Sequence, residues 1–384
     1  MKVSGDWIEN PATQAVCKML EQGGHQAYFV GGCVRNALIG AEVADIDIST
    51  DARPEQVLGL ARKTGLKSVP TGIDHGTVTV ISGGIPHEIT TFRRDVETDG
   101  RRAIVAFSTD ILEDALRRDF TMNALYADKA GRVLDPLNAG LVDLGKRQIR
   151  FIEDPEQRIK EDYLRILRFF RFYAWYGDPE QGLDADGLAA IAGNIDGLAG
   201  LSAERVGAEL LKLLNAPDPA PAVAAMQASA VLSAVVPGAD ARGVTILVHQ
   251  EVSAHQPPDA LRRLACLGGE SLGQRLRLSK AQQRRLEQLR SGIESTLTLP
   301  EIAYRQGPQM AVDVALLRAV AFETPVCLDR AQIDRATTAI FPLTGRDLMP
   351  GLSGAELGAA LKRLEQAWIA SGFALSKQQL LEML

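Results

Sequence analysis

Asp45 and Asp47 stand one residue apart in the apolar run Val43-Ala44-Asp45-Ile46-Asp47-Ile48. If that run is a strand, its period-two geometry sends both carboxylates to one face and Ile46 and Ile48 to the other. Two carboxylates so placed repel each other unless a cation lies between them. Hard oxygen ligands of this kind suit magnesium bound together with substrate phosphates. A calcium loop can begin with the same spacing, but from Asp45 the required Gly and Glu positions are occupied by Thr50 and Gln56. The spacing therefore points to metal-dependent phosphoryl chemistry.

Further polar residues could serve such a site. Gly31-Gly32 follows a short apolar stretch and precedes the helical pattern Val34 to Gly40, so backbone N–H groups would turn toward an anion at a helix start, with Arg35 adding charge. By itself a Gly-Gly pair reads first as a tight strand-to-helix turn, and the aspartate pair close behind it is what favours the anion site. Glu88 is a candidate third acid or a solvent-facing strand residue. Arg117, Arg118 and Asp119 form a compact charged cluster that alone reads as a surface ion-pair set.

Asp162 and Arg165 share a helix face at i, i+3 spacing, which by itself reads as an intrahelical ion pair. The same two groups have a more specific use. A carboxylate accepts the exocyclic amine of cytosine or adenine, while a guanidinium donates to the neighbouring ring nitrogen. Guanine and uracil present the opposite pattern, so one Asp–Arg pair would accept C and A and reject G and U.

These residues need elements to position them. Pro11 to Gly23 reads as a helix burying Val16, Met19 and Leu20, and Gln26 to Val30 as a short strand. Thr71 to Phe92 reads as a β-hairpin turning at Gly83-Gly84. Residues 93–102, RRDVETDGRR, lack apolar periodicity and read as a mobile charged loop. Residues 113–128 read as one amphipathic helix with Leu116, Phe120, Asn123 and Ala124 on one side. Residues 158–175 read as a long helix burying Leu164, Ile166, Leu167 and Phe170. From Asp154 onward the pattern is almost wholly helical, which places a domain boundary near residues 140–150.

The chain has 384 residues, 46% hydrophobic and 23% charged, a balance ordinary for globular domains. Cys17, Cys33, Cys266 and Cys327 are scattered without paired spacing, against both a disulfide framework and a zinc site. No basic start leads into an apolar stretch and no run of about 18 apolar residues occurs, so neither a signal peptide nor a membrane contact is expected, and the setting is read as cytoplasmic. A net charge of −6 leaves nucleic-acid contact to local basic patches. One such patch spans residues 261–290, where Arg262, Arg263, Arg275, Arg277, Lys280, Arg284, Arg285 and Arg290 face only Glu270 and Glu287. It reads as a solvated face or as contacts to an RNA backbone, with Arg275, Arg277, Lys280, Arg284 and Arg285 as the candidates.

The order of these motifs resembles the class II tRNA nucleotidyltransferases, the bacterial and eukaryotic CCA-adding enzymes, with their sister bacterial poly(A) polymerases. The matching stretches are GGCVR (31–35), DID (45–47), HGTV (75–78), EITTFRRD (88–95), RRDFTMNAL (117–125), DPLNAGLVDL (135–144), EDYLRILRFFRF (161–172) and ERVGAELLKLL (204–214). They cover roughly the first 215 residues.

The resemblance implies an α+β fold: a polymerase-β-type nucleotidyltransferase head with a small mixed sheet (1–145), a helical neck that recognises the base (146–215), and a helical body and tail that bind tRNA (216–384). It further implies two magnesium ions on Asp45 and Asp47, and a triphosphate held by Gly31, Gly32 and Arg35. Arg118, Asp119 and Asn123 would meet ribose and phosphates, Asp162 and Arg165 would act as a protein template for CTP and ATP, and Asp135, Gly140 and Asp143 would form a hinge. The loop at 93–102 would assist the switch from C to A.

Two departures stand out: Asn36 occupies a position where the family usually has Asp, and Glu97-Thr98 lie where a tyrosine is common. No adjacent His-Asp pair follows residue 215, so a phosphohydrolase domain is not expected. The expected activity is addition of CCA to tRNA 3′ ends. Alternatives are a poly(A) polymerase or partial CC- or A-adding enzyme of the same family, or a non-catalytic RNA-binding module.

Overall fold

The computed structural model describes residues 1–98, 103–349 and 351–384. They form two compact units, Met1–Val235 and Val236–Leu384.

The first unit is built on a seven-stranded mixed sheet. Its strands are β1 (Tyr28–Val30), β2 (Asp47–Thr50), β3 (Lys67–Gly72), β4 (Thr77–Ser82), β5 (Ile85–Thr91), β8 (Tyr126–Ala127) and β9 (Val133–Leu134), in the order β3-β4-β5-β2-β1-β8-β9. A separate ribbon pairs β6 (Arg93–Thr98) with β7 (Ala103–Phe107). The central strands are rich in aromatic and β-branched residues, and Phe29, Ile48 and Ile89 are buried, as strands covered by helices require.

Several elements form as the residue pattern predicts. In the helix Pro11–Gln22, Asn10 accepts from Ala12 N at 2.9 Å, Pro11 occupies the first turn, and Val16, Met19 and Leu20 are buried. The β4–β5 hairpin turns at Gly83 and Gly84, both with positive φ (56° and 82°), which a two-residue hairpin turn demands.

Three elements differ from expectation. Residues 93–98 are not loop but strand β6, paired in antiparallel register with β7, whose apolar, β-branched run AIVAF favours strand and supplies the backbone partner despite the charge of β6. Residues 99–102 of that expected loop lie outside the described residues.

The expected helix at 113–128 is only Ile111–Leu116, followed by a short 3-10 turn at Thr121–Asn123 and then β8. Tertiary packing breaks it. Phe120 and Phe151 form a backbone bridge, Thr121 N donates to Arg150 O, and the rings of Phe120, Phe151, Phe169 and Phe172 pack together with centroids 4.8–6.3 Å apart. The helix propensity of the stretch loses to this buried aromatic core.

The expected long helix at 158–175 is split into Pro155–Glu161 and Leu164–Tyr176, with Asp162 extended between them (φ −156°, ψ 104°). Leu164, Ile166, Leu167 and Phe170 are buried as the periodicity requires.

The second unit is helical among its described residues. One core gathers Leu343, Leu348, Leu364, Trp368, Ile369 and Leu380. Arg262 and Arg263, counted in the sequence as part of a basic surface run, are instead each 1% exposed. Their guanidiniums bind Glu251, and Arg262 also binds Asp313. Full hydrogen-bonded pairing is what makes two buried arginines tolerable. Among the described residues no helix is long and apolar enough to cross a membrane, and the four cysteines are free thiols.

Candidate active site

The acids sit at the start of a strand. β2 begins at Asp47, not at Val43, and Asp45 lies exposed in the preceding segment, so the strand reading of 43–46 does not hold. β2 runs parallel to β5 with Asp47 opposite Glu88. Burial is the main influence that pushes the Asp47 carboxyl up to about 6; the charges of Glu88 and Asp45 add to it, and Arg118 opposes them. Among the described residues no cluster of three or more His, Cys, Asp or Glu has metal-holding geometry. What Asp45 and Asp47 offer is a two-carboxylate seat. That donor set fits magnesium, which completes its shell with water and substrate phosphates.

Gly31 accepts Arg35 N at the start of the helix Gly32–Ile39 and adopts φ 68°, ψ −117°. A Cβ there would lie 3.5 Å from both the Arg118 guanidinium and Asn123. Those are ordinary contacts, so glycine is favoured here by its backbone conformation.

Arg35 is buried, not splayed toward open solvent. Its Nη1 donates to Asn123 Oδ1 at 2.8 Å and its Nη2 to the Tyr176 hydroxyl at 2.9 Å, and the guanidinium lies 3.9 Å from the Tyr176 ring centroid. Asn36 Oδ1 accepts from Arg35 Nε and Nη2, while Asn36 Nδ2 donates to Glu42 O at 2.8 Å. Aspartate could do the first but has no donor for the second. The amide thus ties Arg35 to the segment that leads into Asp45.

The Arg117-Arg118-Asp119 cluster is not at the surface, because Arg117 and Arg118 share buried Asp114 and Asp119, itself buried, pairs with half-buried Arg168. Asp114, fully buried, accepts from Arg117 at 2.7 Å, from Arg118 at 2.9 Å and from the Tyr126 hydroxyl at 2.8 Å. Burial alone would raise the Asp114 carboxyl, but Arg118 and Arg117 outweigh it and hold it well below the usual range. Arg118 Nη2 also donates to Ser49 Oγ at 3.2 Å, two residues beyond Asp47 on β2. Arg118 is thereby fastened beside the acid-bearing strand.

Asp119 accepts from Arg168, from Asn123 Nδ2 and from Phe120 N. Burial pushes its carboxyl up, and the charge and hydrogen bonds of Arg168 pull it further down, so it stays ionised. Asn123, bridging Arg35 and Asp119, links the glycine turn to the helix Leu164–Tyr176.

Asp162 and Arg165 do not pair with each other. Asp162 Oδ1 accepts from Leu164 N at 3.1 Å and Oδ2 from Arg205 Nη2 at 2.6 Å. Arg165 Nη1 donates to Glu161 Oε2 at 2.5 Å and to Arg158 O at 2.8 Å. Both nevertheless line one cleft of about 380 Å³, with Arg93, Arg117, Arg118, Asp119, Asn123, Leu164, Arg168 and Arg205. Six arginines and two aspartates line it, with Asp114 paired to Arg117 and Arg118 and Glu161 paired to Arg165. Asp45, Asp47, Gly31, Gly32 and Arg35 are not among its lining. They connect to it through Arg118, which faces Asp47, and through Asn123, which holds Arg35.

The residues that sequence reasoning missed are the supports: Asp114, Glu161, Arg168, Tyr176 and Arg205. Asp114 carried a signal in its i, i+4 spacing to Arg118, and Glu161 in the same spacing to Arg165. The others act across long sequence separations and left none.

Residues 27–150 match the Poly A polymerase head domain family, and residues 183–242 the family described as probable RNA and SrmB-binding site of polymerase A. The CCA tRNA nucleotidyltransferase 1, mitochondrial, of Homo sapiens is 33% identical over 388 residues, 93% of this chain and 86% of that protein. The chain belongs to the CCA tRNA nucleotidyltransferase family.

The CCA-adding enzyme of Levilactobacillus brevis is 42% identical over 206 residues, 53% of this chain and 50% of that enzyme. The Bacillus stearothermophilus CCA-adding enzyme solved in complex with CTP superposes with a TM-score of 0.71 at 27% identity, covering 94% of each chain. The Thermotoga maritima CCA-adding enzyme complexed with tRNA matches at 0.70 and 18% identity, covering 96% of this chain and 93% of that one, which shows the shared fold. The α+β expectation, a mixed-sheet head followed by helices, holds for this nucleotidyltransferase.

The basic residues of the second unit divide. Arg275, Arg277, Lys280 and Arg284 are exposed. Arg285 is half-buried and pairs with Asp259 at 2.7 Å and Asp313 at 2.9 Å.

Proposed function

We propose that this enzyme adds C, C and A to the 3′ end of tRNA, using CTP and ATP and releasing pyrophosphate. The observation that carries the reading is the cleft in which Asp162 and Arg165 lie together with a set of arginines suited to a triphosphate. In this reading Asp45 and Asp47 are the catalytic metal seats, with Glu88 beside them, and Gly31, Gly32 and Arg35 hold the triphosphate end. Arg118, Asp119 and Asn123 serve the ribose and phosphates.

Bound magnesium, two ions in this reading, supplies Lewis acidity that lowers the pKa of the RNA 3′-hydroxyl and neutralises charge on the departing pyrophosphate. The chain's own contribution is placement. Arg118, fixed by Asp114 and Ser49, presents positive charge between strand β2 and the cleft. Arg35, fixed by Asn123 and Tyr176, lies beneath the glycine turn. Preorganised charge of this kind needs little reorganisation as the transition state forms.

Asp162 keeps free lone pairs for an exocyclic amine, and Arg165 is oriented by Glu161 to donate to the ring nitrogen. We assign head, neck and body-tail roles to residues 1–145, 146–215 and 216–384, and a hinge role to the connection around Asp135, Gly140 and Asp143. Gly140 suits that tight passage, since a Cβ would meet Thr121 O at 2.6 Å. Arg275, Arg277, Lys280 and Arg284, which are exposed, are the candidates for RNA backbone contact, with Arg285 half-buried beside them. Four free thiols accord with a reducing setting.

The test is to incubate the purified protein and magnesium with a tRNA lacking CCA and each labelled nucleotide. Two C additions followed by one A are expected. Long tails from ATP alone would assign a poly(A) polymerase, addition stopping at CC or requiring a CC end would assign a partial enzyme, and no incorporation would leave an RNA-binding module.

A further inference from the structure

Arg205, so far counted only among the supports and lining arginines of the cleft, touches the base reader. It is the third residue of the helix Ala203–Leu214, whose start is capped by Ser202 Oγ accepting from Arg205 N at 3.4 Å. From there its Nη2 donates to Asp162 Oδ2 at 2.6 Å. Asp162 stands in the extended break between two helices, and its other oxygen accepts from Leu164 N. The carboxylate is therefore gripped at both oxygens, once by the backbone of the following helix and once by a side chain 43 residues away.

The terminal torsion of an aspartate is broad and roughly two-fold, so a single bond at one oxygen leaves the carboxylate plane free to swing. A swinging carboxylate is a poor reader. Discrimination between an amino group and a carbonyl depends on a polar group that the wrong base leaves unpaired, and a group that can turn away avoids that penalty. A carboxylate has about four lone-pair sites. With Leu164 N and Arg205 taking one on each oxygen, those that remain have fixed directions.

The second reader is held the same way: Arg165 is braced by Glu161 and by the carbonyl of Arg158. Arg205 is thus the counterpart on the acid side of what Glu161 is on the basic side.

We propose that Arg205 is a specificity-determining positioning residue: by clamping Asp162 Oδ2 it fixes the carboxylate to accept an amine and so sets the preference for CTP over UTP and for ATP over GTP. The inference rests on the assignment of Asp162 as a base reader.

The experiment measures kcat and KM for CTP and UTP on a tRNA lacking CCA, and for ATP and GTP on a tRNA ending in CC, with wild type, Arg205→Met, Arg205→Lys and Asp162→Asn. Arg205→Met is expected to lower both preference ratios by about tenfold to a hundredfold, the worth of a hydrogen bond to a charged group. Arg205→Lys should recover part of each ratio, and the melting temperature should hold in both. Should Arg205→Met fail to fold, Arg205→Gln and Arg205→Lys carry the same comparison. Unchanged ratios in Arg205→Met alongside collapsed ratios in Asp162→Asn would overturn the inference and leave the base-reading assignment standing. An equal loss for all four nucleotides would also overturn it, by showing Arg205 to be a general phosphate or structural contact. Unchanged ratios in Asp162→Asn would remove the base-reading assignment itself.

Discussion

Asp47 on β2 stands directly opposite Glu88 on the parallel strand β5. After burial, Glu88 is the strongest influence holding the Asp47 carboxyl up at about 6. A carboxyl raised above its unfolded value near 3.9 binds more protons in the folded state between roughly pH 4 and 6, so metal-free stability falls as pH rises through that window. Glu88→Gln removes part of the repulsion. The variant is expected to melt a few degrees higher than wild type without magnesium at pH 7, and to gain less from added magnesium. Calorimetry with and without the ion checks both, and equal magnesium gains would remove Glu88 from the metal site.

Asp114 has no solvent exposure and holds Arg117, Arg118 and Tyr126 together. Asp114→Asn leaves two guanidiniums without their counter-charge and is expected to cost about 3–5 kcal/mol, the range for breaking a buried ion pair. The native carboxyl is held below its unfolded value, so its contribution is present above about pH 4 and is lost as pH falls toward the folded value. Acid titration of denaturant stability should therefore be steeper for wild type than for Asp114→Asn.

Asn36 spans Arg35 and Glu42 O. Asn36→Asp should keep the Arg35 contact and lose the bond to Glu42, costing about 1 kcal/mol locally. Hydrogen exchange of the amides at 42–46 should accelerate, and nucleotide addition should slow several-fold with little change in global melting. Unchanged exchange there would show that the amide does not order the segment before Asp45.

The two kinds of arginine in the second unit give opposite expectations. Arg263→Met strips one partner from buried Glu251 and should cost about 3–5 kcal/mol. Arg284→Ala, at an exposed position, should leave stability within about 0.5 kcal/mol, weaken tRNA binding and reduce the salt slope by about one. Denaturation and salt-dependent binding on the two variants distinguish the roles.

Local chemistry made much of this enzyme legible from its residues alone. The glycine turn at 31–32, the hairpin through Gly83-Gly84 and the apolar stripe of Leu164, Ile166, Leu167 and Phe170 all depend on spacings of a few residues, which composition and periodicity carry. The tertiary structure alone decided where long-range partners overrule local preference. The aromatic packing of Phe120 against Phe151, Phe169 and Phe172 ends a helix that the pattern at 113–128 would continue, and buried Asp114 draws Arg117 and Arg118 inward from an apparent surface cluster. Asp162 and Arg165 share a cleft without forming the i, i+3 pair that their spacing suggests, because the helix breaks at Asp162 and Arg205 takes its carboxylate. Arg262 and Arg263 look like part of a basic face until Glu251 and Asp313 arrive to neutralise them. Asp114 is within a helical turn of Arg117 and Arg118, and only its burial decided the outcome; in the other cases the deciding partner lies farther away in the chain than any local pattern reaches.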